Sequence, residues 1–290
     1  MTITSVAYAK LNVFLRVLGS RTDGYHDIET VLLPVDLHDV VTIREATQLT
    51  VEVVGGPGDL TAGPDNLAHV AARALAESAG VDRPGAHVRI EKRIPVSSGM
   101  GGGSADAAAT LRGLNALWNC RLGEAELAQV AATVGADVPG LLGAGAVFAD
   151  GRGAHVTPVH AATTWWVVMP FDLAVSSTDA YAWWDEEPMT GPDPGALIAA
   201  LETGNVELLG PTAFNDLQRP VARRHPQIER TVAAFLEAGA LGAVMTGSGP
   251  TVVALARHVG HAATLAEAVP GSMAVWGPPV ADNREQSGVV

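Results

Sequence analysis

One stretch of the chain has residue types and spacing suited to chemistry on an anion. It reads Pro95-Val96-Ser97-Ser98-Gly99-Met100-Gly101-Gly102-Gly103-Ser104-Ala105-Asp106-Ala107-Ala108. Four of the five positions from 99 to 103 are glycine. A backbone without Cβ atoms can approach a ligand closely. Free N–H groups in such a loop, backed by a helix N-terminus, make a seat for phosphate. A glycine cluster also serves as a plain flexible turn, so this run alone does not decide the matter. It is not a Walker A loop, because no glycine in the chain is followed by lysine. Read as a dinucleotide fingerprint, Gly99-x-Gly101-x-x-Ser104 lacks its third glycine. No acidic ribose partner stands at the right distance beyond it. The remaining expectation is a phosphate loop of a third kind.

Three further sites carry reactive or recognition groups. Residues 3–18 alternate as a strand, with Ala7, Ala9, Leu11, Val13, Leu15 and Val17 on one side. Tyr8, Lys10, Asn12 and Arg16 take the other, with Phe14 among them, so Lys10 and Asn12 share a face. An anonymous strand would turn that face to solvent; Tyr8 and Phe14 make it less like open surface. Tyr25 and His26 follow an Asp-Gly turn, where an aromatic ring and an imidazole suit a flat ligand by stacking and hydrogen bonding. They could equally close a loop over a core. Asp137, in Gly135-Ala136-Asp137-Val138-Pro139, is a carboxylate among apolar neighbours. It is a candidate functional acid, or else a helix cap ahead of proline.

The elements that must position these groups can be read in outline. Strands are expected at 30–33, 40–43 and 49–54, and a break at 55–58. A helix opens at Pro64-Asp65-Asn66 and runs to about Ala79, where Gly80 stops it. Asn66 reads plainly as its cap. The strand Ala86–Glu91 leads into the glycine loop, and a helix over 104–118 leaves it, with Ser104 as N-cap and Asp106 in the first turn, facing the dipole. A helix is expected over Glu124–Val134, and a hairpin over 146–157. Beyond residue 160 come an apolar strand at 165–170 and a short helix carrying Tyr181, Trp183 and Trp184. A helical region follows around Asn215-Asp216-Leu217, then a helix over 228–238. Met245-Thr246-Gly247-Ser248-Gly249-Pro250-Thr251 is a second glycine turn, placed between a helix and a strand. A helix at 261–268 and a strand at 274–276 close the pattern, and 281–290 read as frayed. The second half alternates like a small α/β sandwich.

The chain has 290 residues, 48% hydrophobic, enough for a large core in two domains or one big one. A net charge of −13 argues against a polynucleotide partner. A bound anion must therefore be held by local dipoles and a few cations. Lys10 and Lys92 are the chain's lysines; its other cations are arginines. A single cysteine, Cys120, rules out a disulfide within the chain, and no Cys/His cluster has metal spacing. The start of the chain lacks a leader pattern, and no apolar run reaches membrane-spanning length, so no membrane partner and a cytoplasmic location are expected. Nothing in the sequence speaks to oligomeric state.

Taken in order, Ala9-Lys10-Leu11-Asn12, Gly24-Tyr25-His26, the glycine loop, Gly135–Pro139 and Thr246-Gly247-Ser248-Gly249 resemble the GHMP small-molecule kinases over nearly the whole chain. The resemblance implies an α+β, two-domain fold. Residues 1–160 would form an N-terminal ATP-binding domain like ribosomal protein S5 domain 2, and 161–290 a ferredoxin-like C-terminal domain. It implies ATP and magnesium, and transfer of the γ-phosphoryl to a hydroxyl of a small-molecule substrate, a cytidine diphosphate methylerythritol. Pro95 to Ala105 would hold the ATP phosphates and Asn66 would touch adenine. Asp137 would take the hydroxyl proton, with Lys10 beside it and the γ-phosphate. Asn12 would orient the substrate. Tyr25 and His26 would read cytosine, and Tyr181 would cover its other face, with Trp183 and Trp184 as rivals. Gly247, Ser248 and Gly249 would line the phosphate region from the second domain.

Ala105, where the family often has serine, removes one possible contact, and Pro250 removes a donor. No carboxylate stands out as a magnesium ligand. Two alternatives stay open: a GHMP kinase for mevalonate-type or sugar substrates, and a non-catalytic nucleotide-binding protein.

Overall fold

The computed structural model describes residues 1–56, 63–153 and 155–279. The expected break at 55–58 and the tail at 281–290 lie partly or wholly outside the described residues.

The first strand, β1 (Thr2–Ser20), pairs antiparallel with β2 (His26–Glu45) along its length. The two short strands expected at 30–33 and 40–43 are thus one. The Pro34 that separates them in sequence is accommodated opposite Lys10, where the register shifts beyond Tyr8. Such irregularities re-aim side chains. A second shift follows Asn12. Lys10 and Asn12 therefore sit between two bulges, and both are nearly buried, 4% and 3% exposed. Their face is not the solvated one of an anonymous strand.

Next come β3 (Leu49–Val54), α1 (Leu67–Ala79) and β4 (Ala86–Glu91). The Asn66 side chain accepts from the Ala68 N–H at 2.9 Å, and Gly80 ends α1 in the left-handed region. These are the expected cap and stop. Helix α2 (Gly102–Leu117) begins two residues earlier than expected, capped by Gly101 rather than by Ser104. Gly101 can adopt φ +70°, and the chain turns into the helix there. Ser104 lies in the first helical turn. Alanines on several sides of α2 let it pack against β1, β2 and α1 at once.

Helix α3 (Glu124–Val134) is followed by a 3₁₀ turn (Pro139–Leu141), then β5 (Val147–Gly151) and β6 (His155–Pro158) as the expected hairpin. Then come β7 (Thr164–Met169), α4 (Ser177–Glu186), α5 (Gly195–Thr203), α6 (Val206–Thr212), β8 (Phe214–Asn215), α7 (Gln218–Arg224), α8 (Gln227–Glu237), β9 (Gly242–Met245), β10 (Val252–Ala256), α9 (Val259–Ala268) and β11 (Met273–Gly277).

Two sheets organise these elements. The first runs β3-β4-β2-β1-β8, with β5 also on β2 and β6 beyond it; the second is antiparallel, β11-β7-β10-β9. Two expectations are corrected. Asn215 does not lie in a helix: Phe214 and Asn215 add a parallel strand beside Phe14 and Leu15. The late glycine turn joins two strands, β9 and β10, rather than a helix and a strand.

Strand β1 is shared between two apolar cores. Leu11 and Val13 pack with α1 and α2, whereas Leu15 and Val17 pack with Trp184, Val221 and Phe235. The lysine strand is therefore clamped between both halves of the chain.

Candidate active site

Backbone hydrogen bonds bring the glycine loop to β1. The Lys10 N–H donates to the Met100 carbonyl at 3.0 Å, and Lys10 Nζ donates to the Gly99 carbonyl at 3.0 Å. The late loop closes in from the other side. The Asn12 N–H donates to Thr246 Oγ1 at 2.7 Å, and Asn215 Nδ2 reaches the Met245 and Gly247 carbonyls at 2.6 and 2.7 Å. The added strand β8 thus holds the late loop against β1. The loops meet so tightly that a Cβ on Gly99, whose φ is +77°, would stand 2.8 Å from both the Gly249 and Thr246 carbonyl oxygens. A Cβ on Gly101 would stand 3.0 Å from two carbons of the Lys10 side chain. These glycines are required by close approach as well as by conformation.

At this junction Lys10 Nζ lies 3.3 Å from Asp137 Oδ2 and also donates to Asn12 Oδ1. The lysine side chain is 5% exposed and the aspartate 37%. The cation is fixed by buried acceptors while the carboxylate keeps access to a ligand. Asn12 is held in turn by Thr30 Oγ1 at 2.8 Å. Asp137 caps no α-helix; it sits in the turn between α3 and the 3₁₀ turn.

Three cavities meet around this pair. One, of about 300 Å³, is lined by Asn66, Pro95, Val96, Ser97, Ser98, Gly99, Gly101, Gly102, Gly103 and Ser104, with Lys92 and Asp106. A second, of about 290 Å³, is lined by Lys10, Asn12, Asp137 and Tyr181, by Gly247, Ser248 and Gly249, and again by Ser97, Gly99 and Gly101. A third, of about 600 Å³, holds Tyr25, His26, Tyr181, Arg152 and Asp185, and shares Asp137, Ile28 and Ser177 with the second. Shared walls make them one continuous groove with Lys10 and Asp137 at its middle.

Two of the expected loop residues do not face it. Met100 is fully buried in the core, its carbonyl taken by the Lys10 N–H, and Ala105 is 1% exposed with its N–H donating to the Gly101 carbonyl. The Ser98 hydroxyl turns inward to the Pro95 carbonyl at 2.6 Å.

In the outer cavity the His26 ring stacks on Tyr181, with centroids 4.7 Å apart, and meets Trp184 edge-on. Trp184 is buried in the second core, and Trp183 faces away toward His225 and Arg224. Tyr181 is the member of the three that lines the groove. Burial, with a smaller contribution from the Asp137 charge, pushes its phenol up from the ordinary range. The exposed Tyr25 ring carries the Arg152 guanidinium 3.5 Å from its centroid, a cation–π contact that covers one of its faces.

The sequence reading missed three groups. Lys92 is pinned between Asp39 and Asp106, the latter at 2.8 Å. Because α2 begins at Gly102, Asp106 falls beyond the first turn, and the expected first-turn acid facing the helix dipole is instead a partner of Lys92. Burial and the nearby Asp39 charge, against the pull of Lys92, push its carboxyl up to about 7. The scarcity of lysine was the available signal for Lys92. Arg152 and Asp185 also went unnoticed. Asp185 lies one helical turn after Tyr181 on α4, a spacing that puts both on one face.

A buried ammonium, a reachable carboxylate and a glycine-lined helix N-terminus at one point can hold a polyphosphate, offset its charge and accept a hydroxyl proton. The N-terminal domain of GHMP kinases matches residues 66–149 and their C-terminal domain residues 197–275. The chain belongs to the GHMP kinases, which use ATP as phosphate donor. Its similarity extends to particular members. It is 42% identical over 249 residues to 4-diphosphocytidyl-2-C-methyl-D-erythritol kinase of Symbiobacterium thermophilum, covering 85% of this chain and 88% of that one. It is 45% identical over 277 residues to the kinase of the same name from Kineococcus radiotolerans, covering 91% and 85%. A crystal structure of 4-(cytidine 5'-diphospho)-2C-methyl-D-erythritol kinase matches with a TM-score of 0.80 at 32% identity, over 95% of this chain and 99% of that one. Homoserine kinase from Cytophaga hutchinsonii matches with a TM-score of 0.75 over 95% and 94%, but at 21% identity it shares the fold alone. The expected α+β GHMP kinase architecture is thus the one found.

Proposed function

We infer that the protein transfers the γ-phosphoryl of ATP to the 2-hydroxyl of 4-diphosphocytidyl-2-C-methyl-D-erythritol, a step of non-mevalonate isoprenoid precursor synthesis. The observation that carries this reading is the continuity of the groove, with a nucleotide-sized cavity on each side of Lys10 and Asp137.

The adenine nucleotide occupies the cavity beside Asn66, its phosphates over Ser97 to Ser104 and the N-terminus of α2. The γ-phosphate reaches the second cavity, where Lys10 offsets charge on the transferred group. The methylerythritol hydroxyl enters the same space, oriented by Asn12, and Asp137 accepts its proton. Gly247, Ser248 and Gly249 close the far wall. Holding two reactants in line contributes on the order of 7–11 kcal/mol to such a step. The cytidine lies in the outer cavity, against His26, Tyr25 and Tyr181. Arg152 stands in that cavity's wall with its guanidinium over the Tyr25 ring, and supplies the cation there for the substrate's diphosphate.

Magnesium belongs to this chemistry as an ion carried by the nucleotide. Among the described residues no group of three or more His, Cys, Asp or Glu stands together to cage a metal. The carboxylates facing the groove nearest the phosphates, Asp106 and Asp137, already face ammonium groups. Such a site fits an ion held chiefly by phosphate oxygens and water. When bound, it neutralises charge on the phosphates. The groove has the scale of small molecules, and no helix among the described residues is long and apolar enough to cross a membrane.

The test is ADP release with a panel of alcohols: the cytidyl-methylerythritol substrate, mevalonate and homoserine. Turnover confined to the cytidyl substrate is expected. Equal turnover of mevalonate or homoserine, or ATP binding with no transfer, would overturn the assignment.

A further inference from the structure

Around His26 the structure shows a relay that the reaction itself does not use. His26 Nε2 lies 2.9 Å from Asp185 Oδ1, and the Ser20 hydroxyl donates to that same oxygen at 2.8 Å. Tyr181 stacks on the imidazole and Trp184 meets it edge-on, so the ring plane is fixed from two sides. Tyr181, Trp184 and Asp185 all come from one face of α4. The imidazole is 9% exposed, whereas Asp185 is 43% exposed and lines the outer cavity beside it.

The direction of the hydrogen bond follows from the partner. Burial acts to raise the Asp185 carboxyl, but the bonds from His26 and Ser20 hold it below the usual range. An ionised carboxylate only accepts, so Nε2 must carry a hydrogen. In a neutral imidazole the other nitrogen, Nδ1, is then an acceptor. Among the described residues no hydrogen bond occupies Nδ1. A cytosine presents a donor at its 4-amino group, whereas uracil presents a carbonyl acceptor at the same position. An acceptor nitrogen matches the first and opposes the second.

We propose that Asp185, assisted by Ser20, is a specificity-positioning residue: it fixes the Nε2–H form of His26 so that Nδ1 selects a 4-aminopyrimidine nucleotide over its 4-oxo counterpart. This rests on the reading of the outer cavity as the pyrimidine seat. Asp185 touches His26, not the reacting atoms, so its effect is on the choice of base rather than on phosphoryl transfer.

The experiment compares the wild type with Asp185→Asn and Asp185→Glu, using CDP and UDP as probes in calorimetric titrations. The ¹⁵N resonances of the His26 ring are recorded in parallel, without nucleotide. Asp185 is partly exposed, and thermal melting confirms that the variants are folded. The wild type is expected to show an Nε2–H imidazole and to prefer CDP by about tenfold or more, the scale of one matched against one opposed hydrogen bond. In Asp185→Asn the amide can donate as well as accept, so the Nδ1–H form becomes populated and the CDP preference falls toward unity. Asp185→Glu restores both. An unchanged tautomer and an unchanged CDP-to-UDP ratio in Asp185→Asn overturn the proposal while leaving the pyrimidine seat intact. Failure of the wild type to bind either nucleotide removes the pyrimidine seat itself, and this proposal with it.

Discussion

Lys10 Nζ lies 3.3 Å from Asp137 Oδ2, although one residue belongs to the first strand and the other to a mid-chain turn. The contact is made where two glycine loops converge on a bulged strand, so it depends on the whole fold. The ammonium has further acceptors in Asn12 and the Gly99 carbonyl. It is therefore held in place before any ligand arrives, which is the condition for electrostatic stabilisation without reorganisation.

Lys10→Met keeps the length of the side chain and removes its charge. It leaves Asp137 and the Gly99 carbonyl without their cation. Turnover is expected to fall by about 10²–10³-fold, the usual cost of losing one preorganised donor, with a smaller change in KM for ATP. Steady-state kinetics with each substrate varied in turn separate the two effects. A change confined to KM would reduce Lys10 to a binding residue.

Gly99→Ala tests the meeting of the two loops. The substitution places a methyl group against two carbonyl oxygens at 2.8 Å and a side chain at φ +77°. The expected cost is about 2 kcal/mol or more, visible as a fall of several degrees in Tm. Nucleotide affinity should fall with it. An unchanged melting curve would mean that the loops are not in contact in solution.

Asp106 makes stability depend on pH in an unusual direction. Its carboxyl is raised from 3.8 to about 7 in the folded state, so between about pH 4 and 7 the folded chain holds a proton that the unfolded chain has released. Unfolding stability from this group therefore decreases as pH rises through that window, by a few kcal/mol at most. Asp106→Asn cannot ionise and loses this slope. In urea titrations from pH 5 to 8 the variant should gain stability relative to the wild type as pH rises. Parallel curves would show that Asp106 does not hold the extra proton.

Tyr181 and Trp183, neighbours on α4, stand in opposite relations to the groove. Tyr181 lines the groove and stacks on His26, whereas Trp183 packs toward His225 and Arg224. Tyr181→Ala should raise KM for the cytidyl substrate about tenfold, within the range for loss of one base-stacking ring, and leave KM for ATP unchanged. Trp183→Phe should change neither. Equal effects of the two would move the base away from Tyr181.

Much of this was legible in the sequence because local rules were enough. Asn66 before an apolar helical pattern and Gly80 after it marked both ends of α1. The glycine loop and the helix behind it were legible too, although composition alone left a phosphate seat and a plain turn both open. What local rules could not supply was anything set by distant packing. Pro34 inside an apolar run looked like a strand break, yet it lies opposite the irregular stretch around Lys10. Ser104 looked like the cap of α2, but Gly101, at φ +70° with the Lys10 side chain against it, turns the chain into the helix earlier. Asn215 read as helical, and only its pairing with β1 makes it a strand. The same limit hid Asp185, whose hydrogen-bond partner is a histidine 159 positions earlier in the sequence. Lys10 and Asp137 were brought together beforehand only by resemblance to the GHMP kinases.

The most direct test of the account is single-turnover transfer from ATP to the cytidyl-methylerythritol substrate in the wild type, Asp137→Asn, Lys10→Met and the double variant. Asp137→Asn should slow transfer by about 10²–10⁴-fold, the range for a lost general base, while still binding ATP. In the proposed reaction the two side chains act on one proton and one phosphoryl group, so the double variant should be far less impaired than the product of the single losses. Near-normal transfer by Asp137→Asn, or fully multiplicative losses in the double variant, would contradict the claim that the pair works as a unit at the centre of the groove.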